Sequence, residues 1–307
     1  MPIPVLEIGG THVAAALVDL TTRTMLPGGG HRDPLRAHGS AEEIIDAVLR
    51  CAARLTVSTP RHWAVALPGP FDHARGIALF EGVGKFDSLR GMDLGSALRA
   101  GLSGPASAVT FLNDATAFSV GEWIAGSAFG HRRAVGVTLG TGIGSCFLAD
   151  GQVIDTGPAV PPEGRADLLT WRGRPLEDTV SRRAIRARYA ECVGTPTAAK
   201  ADVHTIAAAA RTGDPVAAAV IEYALHSLGC ALGPWLARFR ASVLVVGGSI
   251  AASWDQVEPP LREGLRAADV ALADLSVLAA SRPVESAFLG AAHCAARRWA
   301  PRCGESP

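Results

Sequence analysis

Three apolar runs in this 307-residue chain stop at glycine clusters, and no other feature restricts its fold as strongly. Ile3 to Ile8 ends at Gly9-Gly10-Thr11, Ala134 to Leu139 at Gly140-Thr141-Gly142-Ile143-Gly144, and Ser242 to Val246 at Gly247-Gly248-Ser249. Each run reads as a buried strand. Glycine lets backbone N–H groups approach an anion closely, and a neighbouring threonine or serine adds a hydroxyl donor. One such cluster is a tight turn and nothing more; three at strand ends point to a nucleotide site. The middle cluster has nearly the dinucleotide-binding spacing, with Ser145 in place of the third glycine. That fingerprint requires a helix directly after the turn, whereas Cys146-Phe147-Leu148 continues as a strand, so the element is a β-hairpin. Neither lysine of the chain, Lys85 or Lys200, stands in a Walker context, which removes the P-loop alternative as well.

The remaining pattern alternates. A strand spans Val13 to Val18, Gly28-Gly29-Gly30 marks a turn, and Ser40 caps a helix from Ala41 to Leu55 with an acidic first turn. Trp63 to Leu67 is a strand stopped by Pro68-Gly69-Pro70. A glycine-dotted loop around 75–91 leads to a helix near Leu94 to Leu102, a strand Ala108 to Leu112, and a helix running from Asn113-Asp114 to about Gly126. Residues 155–176 are rich in Pro, Gly and Arg with little periodicity, and are expected to form an irregular loop. Helices follow at 178–192, 202–211, 214–240, 256–267 and from about Val284 to Trp299, with a strand near 275–279. Two successive α/β halves imply duplicated lobes. The expected lobes are 1–114 plus 283–307, with the last helix returning to the first lobe, and 115–282.

Composition narrows the function classes. With 29 basic and 29 acidic residues there is no overall field to favour nucleic acid or an anionic membrane. The N-terminus has no basic leader, and no apolar run is expected to reach membrane-spanning length. The cysteines at 51, 146, 192, 230, 294 and 303 contain no C-x-x-C pair, so free thiols in a reducing cytoplasm are expected rather than a disulfide framework.

Asp114 closes a strand and opens a helix. A carboxylate there serves as a helix cap or, beside a bound γ-phosphate, as the base that takes a proton from an attacking alcohol. Asn113 beside it is a good hydroxyl partner. Taken in order, Gly9-Gly10-Thr11 after an acidic residue, Leu67-Pro68-Gly69-Pro70, Leu112-Asn113-Asp114-Ala115, Gly121-Glu122, Leu139 to Gly144 and Val246-Gly247-Gly248 resemble the motif set of ROK-family sugar kinases, across about residues 3 to 295. The resemblance implies the two-lobed, actin-like ATPase (ribonuclease H-like) α/β fold with a cleft between lobes. It also implies ATP and Mg²⁺ as cofactors, and a sugar or sugar-like polyol as acceptor. By the same resemblance Asp114 is the general base and Asn113 a substrate ligand, with Gly69 in the turn that borders the acceptor. Gly9, Gly10, Thr11, Gly140, Thr141, Gly142 and Gly144 hold the phosphates, and Gly247 and Gly248 lie by the adenosine.

The departures from that pattern carry information too. Glu7 stands where the family has Asp, which keeps a charge able to position hydrated Mg²⁺. The family's histidine after the hairpin falls on Ala166, and no cysteine occurs between Cys146 and Cys192, so no zinc site is expected. Glu163 aligns with one acceptor glutamate, and Glu177, before Ser181 and Ala184-Ile185, with another; each is alternatively a solvated loop charge. Lys85, within Gly82-Val83-Gly84-Lys85-Phe86, is read as solvent-facing in preference to a substrate contact.

These readings imply an ATP-dependent kinase of a hexose-like sugar. A kinase of a cyclitol or modified sugar is the alternative within the same class. A sugar-responsive regulator of the same family would carry a helix-turn-helix segment before the first glycine strand, which starts here near residue 3. A non-catalytic sugar-binding protein is disfavoured by Asp114 together with all three glycine clusters. Neither nucleic acid nor membrane is expected as a partner, and the oligomeric state stays open, a homodimer included.

Overall fold

The computed structural model describes residues 1–56, 62–102 and 108–299; Cys303 lies outside them. The chain runs β1 (Ile3–Ile8), β2 (His12–Asp19), β3 (Thr24–Pro34), α1 (Ala41–Ala53), β4 (His62–Leu67), β5 (Phe71–Asp72), β6 (Ile77–Ala78), α2 (Leu94–Gly101), β7 (Ala108–Asn113) and α3 (Asp114–Ala125). It continues through β8 (Arg133–Leu139), β9 (Ile143–Ala149), β10 (Gln152–Val153), β11 (Thr170–Trp171), β12 (Arg174–Pro175), α4 (Glu177–Val180), α5 (Arg182–Val193), α6 (Pro196–Lys200), α7 (Val203–Arg211) and α8 (Pro215–Phe239). The last elements are β13 (Val243–Gly247), α9 (Trp254–Ala268), β14 (Ser276–Ala279) and α10 (Ser286–Trp299).

Two compact units result, one formed by 1–125 with 284–307 and the other by 126–283. The first holds a five-stranded sheet in the order β3-β2-β1-β4-β7. β1 pairs antiparallel with β2 and parallel with β4, and β4 pairs parallel with β7. The helix after Asp114 belongs to this unit because α3 and α10 cross at glycines. A Cβ on Gly121 would collide with the Ser286 carbonyl, and one on Gly290 with the Ala117 carbonyl. Glu122 is fully buried in this crossing and accepts from Ser286 Oγ at 2.6 Å. The Gly121-Glu122 motif is thus spent on packing, and the division falls after Ala125 where the sequence suggested Asp114.

The second unit repeats the same sheet: β10-β9-β8-β13-β14, with β8 antiparallel to β9 and parallel to β13, and β13 parallel to β14. Its core is completed by helices, chiefly α8, whose inner face carries Val220, Leu225, Leu228 and Leu232. Against expectation, α8 is long and apolar enough by length and composition to cross a membrane, but 56% of its most apolar window lies inside the unit.

Three details differ from the sequence reading. Gly28 to Gly30 lie inside the edge strand β3, not in a turn; the register against β2 shifts between Ala16 and Val18, a bulge that glycines accommodate. The 75–91 loop contributes β6, which pairs with β5 just before it in a small hairpin, and a 3₁₀ turn at Asp87–Leu89. Residues 155–176 form two 3₁₀ turns and the β11–β12 hairpin, so the segment is more ordered than its composition suggests. Ser40 caps α1 as expected, in a reciprocal capping box with Glu43.

Candidate active site

In the first unit the parallel strands β1, β4 and β7 end at one edge of the sheet. Glu7 pairs in register with Ala66, and Leu67 with Asn113, so Glu7, Pro68-Gly69-Pro70 and Asn113-Asp114 collect where strand carboxyl ends open. Gly69 precedes a cis proline there. Asn113 Oδ1 accepts from the Ala115 and Thr116 amides at 3.0 and 3.2 Å and so does the capping of α3. Asp114 Oδ1 accepts from the Ala115 amide at 2.8 Å. Burial holds the Asp114 carboxyl above the usual range, opposed by the Ala115 amide and by Lys85. Glu7 is pushed up to about 7, first by burial and then by repulsion from Asp114, with Arg32 pulling the other way. Burial, aided by Arg32, lowers His12.

Lys85 is the surprise of this edge. Gly82, Gly84 and Phe86 are left-handed, and the Phe86 ring is buried while its amide bonds the Ala37 carbonyl at 2.7 Å. That anchor turns Lys85 inward. It is half-buried, its Cδ lies 3.6 Å from where a Cβ on Gly10 would stand, and its charge acts on Asp114. Beside the Gly9-Gly10-Thr11 turn a hollow of about 530 Å³ opens, lined by Gly10, Thr11, Arg36, His38 and Glu43 among others.

In the second unit the hairpin expected at Gly140 to Gly144 forms, with Leu139 opposite Ile143 and the Gly140 amide bonded to the Gly142 carbonyl at 3.0 Å. Thr141 is exposed at its tip. Gly142 presses on Glu177: an added Cβ would strike that carboxylate, whose Oε1 accepts from the Ile143 amide at 3.2 Å. Gly247 ends β13 in register with Thr138; Gly248 follows at φ +86°, where a side chain would run into the Leu139 backbone. The two glycine turns therefore touch.

Glu163 is exposed and pairs with Arg165 at 3.2 Å, while Arg165 also holds Asp167 at 2.7 Å. Ser145 anchors this segment to β9, donating to the Gly164 carbonyl at 2.7 Å and accepting from the Ala166 amide at 2.8 Å. Among the described residues no three His, Cys, Asp or Glu side chains cluster closely enough to hold a metal ion. For hydrated Mg²⁺ the fit is of another kind. Glu7 and Asp114 are two carboxylates whose charged forms are disfavoured by burial and, at Glu7, by repulsion, a combination that a hard divalent cation relieves.

The duplicated sheet, with glycine turns at equivalent strand ends, defines an actin-like ATPase fold. The ROK family profile matches residues 4–298, and the chain belongs to the ROK family. It is 27% identical to a glucokinase of Thermotoga maritima over 281 residues, covering 84% of each chain. A ROK family glucokinase from Streptomyces griseus, solved in complex with glucose and AMPPNP, superposes with a TM-score of 0.79 at 23% identity, over 97% of this chain and all of that one (100%). A ROK family transcriptional regulator, a homologue of the E. coli MLC protein, superposes at 0.72 and 21% identity, over 94% of this chain and 77% of its own.

Proposed function

We propose that this protein is an ATP-dependent kinase that transfers the γ-phosphoryl group to a hydroxyl of a hexose-like sugar. The observation that carries the reading is Asp114. Asn113 already caps the helix, so the half-buried Asp114 carboxylate is left to accept a proton at the strand edge beside the Gly10 turn. Its raised basicity suits a general base. As an acceptor hydroxyl attacks, Asp114 takes the proton, and Lys85 offers positive charge next to the same point. Backbone amides of the Gly9 to Thr11 and Gly140 to Gly144 turns hold the phosphates, and the Gly247-Gly248 turn borders the adenosine. Mg²⁺, positioned through Glu7, would supply neutralisation of the phosphate oxygens. The glucokinases among the relatives support a glucose-like acceptor. Glu163 and Glu177 are the proposed acceptor contacts, Glu177 after release from the Ile143 amide.

A cyclitol or modified-sugar acceptor is the second reading, favoured by one feature: the segment after the hairpin is held by Ser145 and Arg165 and has Ala166 in place of a histidine. Coupled ATP-consumption assays across hexoses, amino sugars and cyclitols separate the two. Sugar binding without ATP consumption on any acceptor would overturn the kinase reading and favour a regulator.

A further inference from the structure

Arg182 opens α5 directly after its cap, Ser181, and touches both glycine turns of the second unit. Its backbone amide donates to the Gly140 carbonyl at 2.8 Å, and its guanidinium donates to Ser249 Oγ at 2.5 Å. Ser249 directly follows Gly247-Gly248, and its Oγ lies 3.7 Å from where a Cβ on Gly140 would stand. The neighbouring arginines are neutralised, Arg165 by Glu163 and Asp167 and Arg183 by Asp178. Arg182 has no carboxylate partner among the described residues. Ser249 is its only side-chain partner there, and the remaining guanidinium donors are uncommitted.

Arg182 thus holds uncommitted guanidinium donors beside two glycine turns whose backbone N–H groups can also face an anion, a combination that favours an anionic ligand there. We infer that Arg182 contacts the phosphate chain of the nucleotide donor and makes donor affinity depend on the number of phosphates. The inference rests on the ATP-dependent kinase reading. A guanidinium presents forked donors that match phosphate oxygens, and its anchoring by Ser249 before ligand arrives removes part of the ordering cost. Arg182 is therefore a binding and positioning residue: its loss acts on donor affinity more than on the chemical step.

Calorimetric titration of the full chain with adenosine, ADP and AMPPNP tests it, using wild type, Arg182→Ala and Arg182→Lys. The alanine variant should weaken ADP and AMPPNP by about ten- to a hundredfold, the usual worth of one charge-assisted hydrogen bond, and leave adenosine unchanged. The lysine variant keeps the charge without the fork and should recover part of the loss. Equal affinities for ADP in wild type and Arg182→Ala would overturn the assignment, as would an equal loss for adenosine, which marks a merely structural role. Should the alanine variant not fold, Arg182→Gln, which keeps a donor for Ser249 and removes the charge, decides by the same comparison. If wild type binds none of the three ligands, the donor reading itself falls. That outcome is distinct from one in which wild type binds and the variants do not differ.

Discussion

The two units share one sheet order and yet place different chemistry at the same strand ends. In the first, the turn after β1 lies beside ionisable groups: Glu7, Lys85 and Asp114, with His12 and Arg32 close enough to shift Glu7 or be shifted. In the second, the equivalent turn after β8 is met by another glycine turn, by Glu177 and by Arg182. The connections differ as well. A single helix, α1, lies between the third and fourth sheet strands of the first unit, whereas α4 to α8 occupy that place in the second. A duplicated scaffold thus supplies two rims, one rich in ionisable side chains and one rich in glycine-turn backbone donors.

Substitutions separate these roles. The largest effect is expected at Asp114→Asn, which should lower turnover by roughly 10²–10⁴ while ADP binding and folding persist. Steady-state rates with the best acceptor decide, and near-normal turnover would remove Asp114 from the chemistry. Next, Gly142→Val should weaken ADP binding by about a hundredfold in titrations, because a branched side chain displaces the Glu177 carboxylate from the Ile143 amide and stiffens the turn. A folded variant that binds ADP like the parent would take the hairpin out of the donor site. Lys85→Met should cut kcat about ten- to a hundredfold with little change in ADP affinity, the reverse of the Arg182 pattern. If both variants gave the same pattern, the contrast between the rims would collapse.

A smaller effect concerns stability. The Glu7 carboxyl is raised from 4.5 to about 7, so the folded protein binds its proton more tightly than the unfolded chain. Its contribution is fully present below the unfolded value and is lost as pH climbs through 7, by up to about 3 kcal/mol. Glu7→Gln should therefore stabilise the ligand-free protein at pH 8 in denaturant titrations, with the gain vanishing near pH 4. A gain independent of pH would refute this account. Smallest of all, Glu163→Ala should raise the acceptor KM several-fold, since it exchanges an exposed, weakly held charge; an unchanged KM with the true acceptor would mean that Glu163 only orders its own loop.

Much of the fold is legible in the sequence, because strands and capped helices are encoded locally. Ile3–Ile8 is apolar but for Glu7 and stops at glycines, and Ser40 with Glu43 announces the start of α1. The choice between hairpin and dinucleotide turn at Gly140 to Gly144 is likewise decided by Cys146-Phe147-Leu148, which continue as a strand. What local pattern cannot convey is who meets whom. Lys85 reads as a surface lysine until Phe86 is found anchored in the core, and Arg182 reads as an ordinary helix residue until Gly140 and Ser249 are seen on either side of it. Gly28 to Gly30 mislead for the opposite reason: glycines signal a turn unless a neighbouring strand pairs with them.

The crossing of α3 with α10 has a consequence for how the chain is made. The second unit is one continuous segment, 126–283, and can complete its core while still being synthesised. The first unit cannot. Its sheet is covered by a helix encoded some 160 residues after α3, which seals Glu122 with Ser286 and stacks Trp299 on His62 at 4.4 Å. Until the ribosome delivers that helix, the glycine face of α3 and one face of β4 stay open to water and to other chains. The half translated first is therefore the half whose core closes only when the last helix has been made.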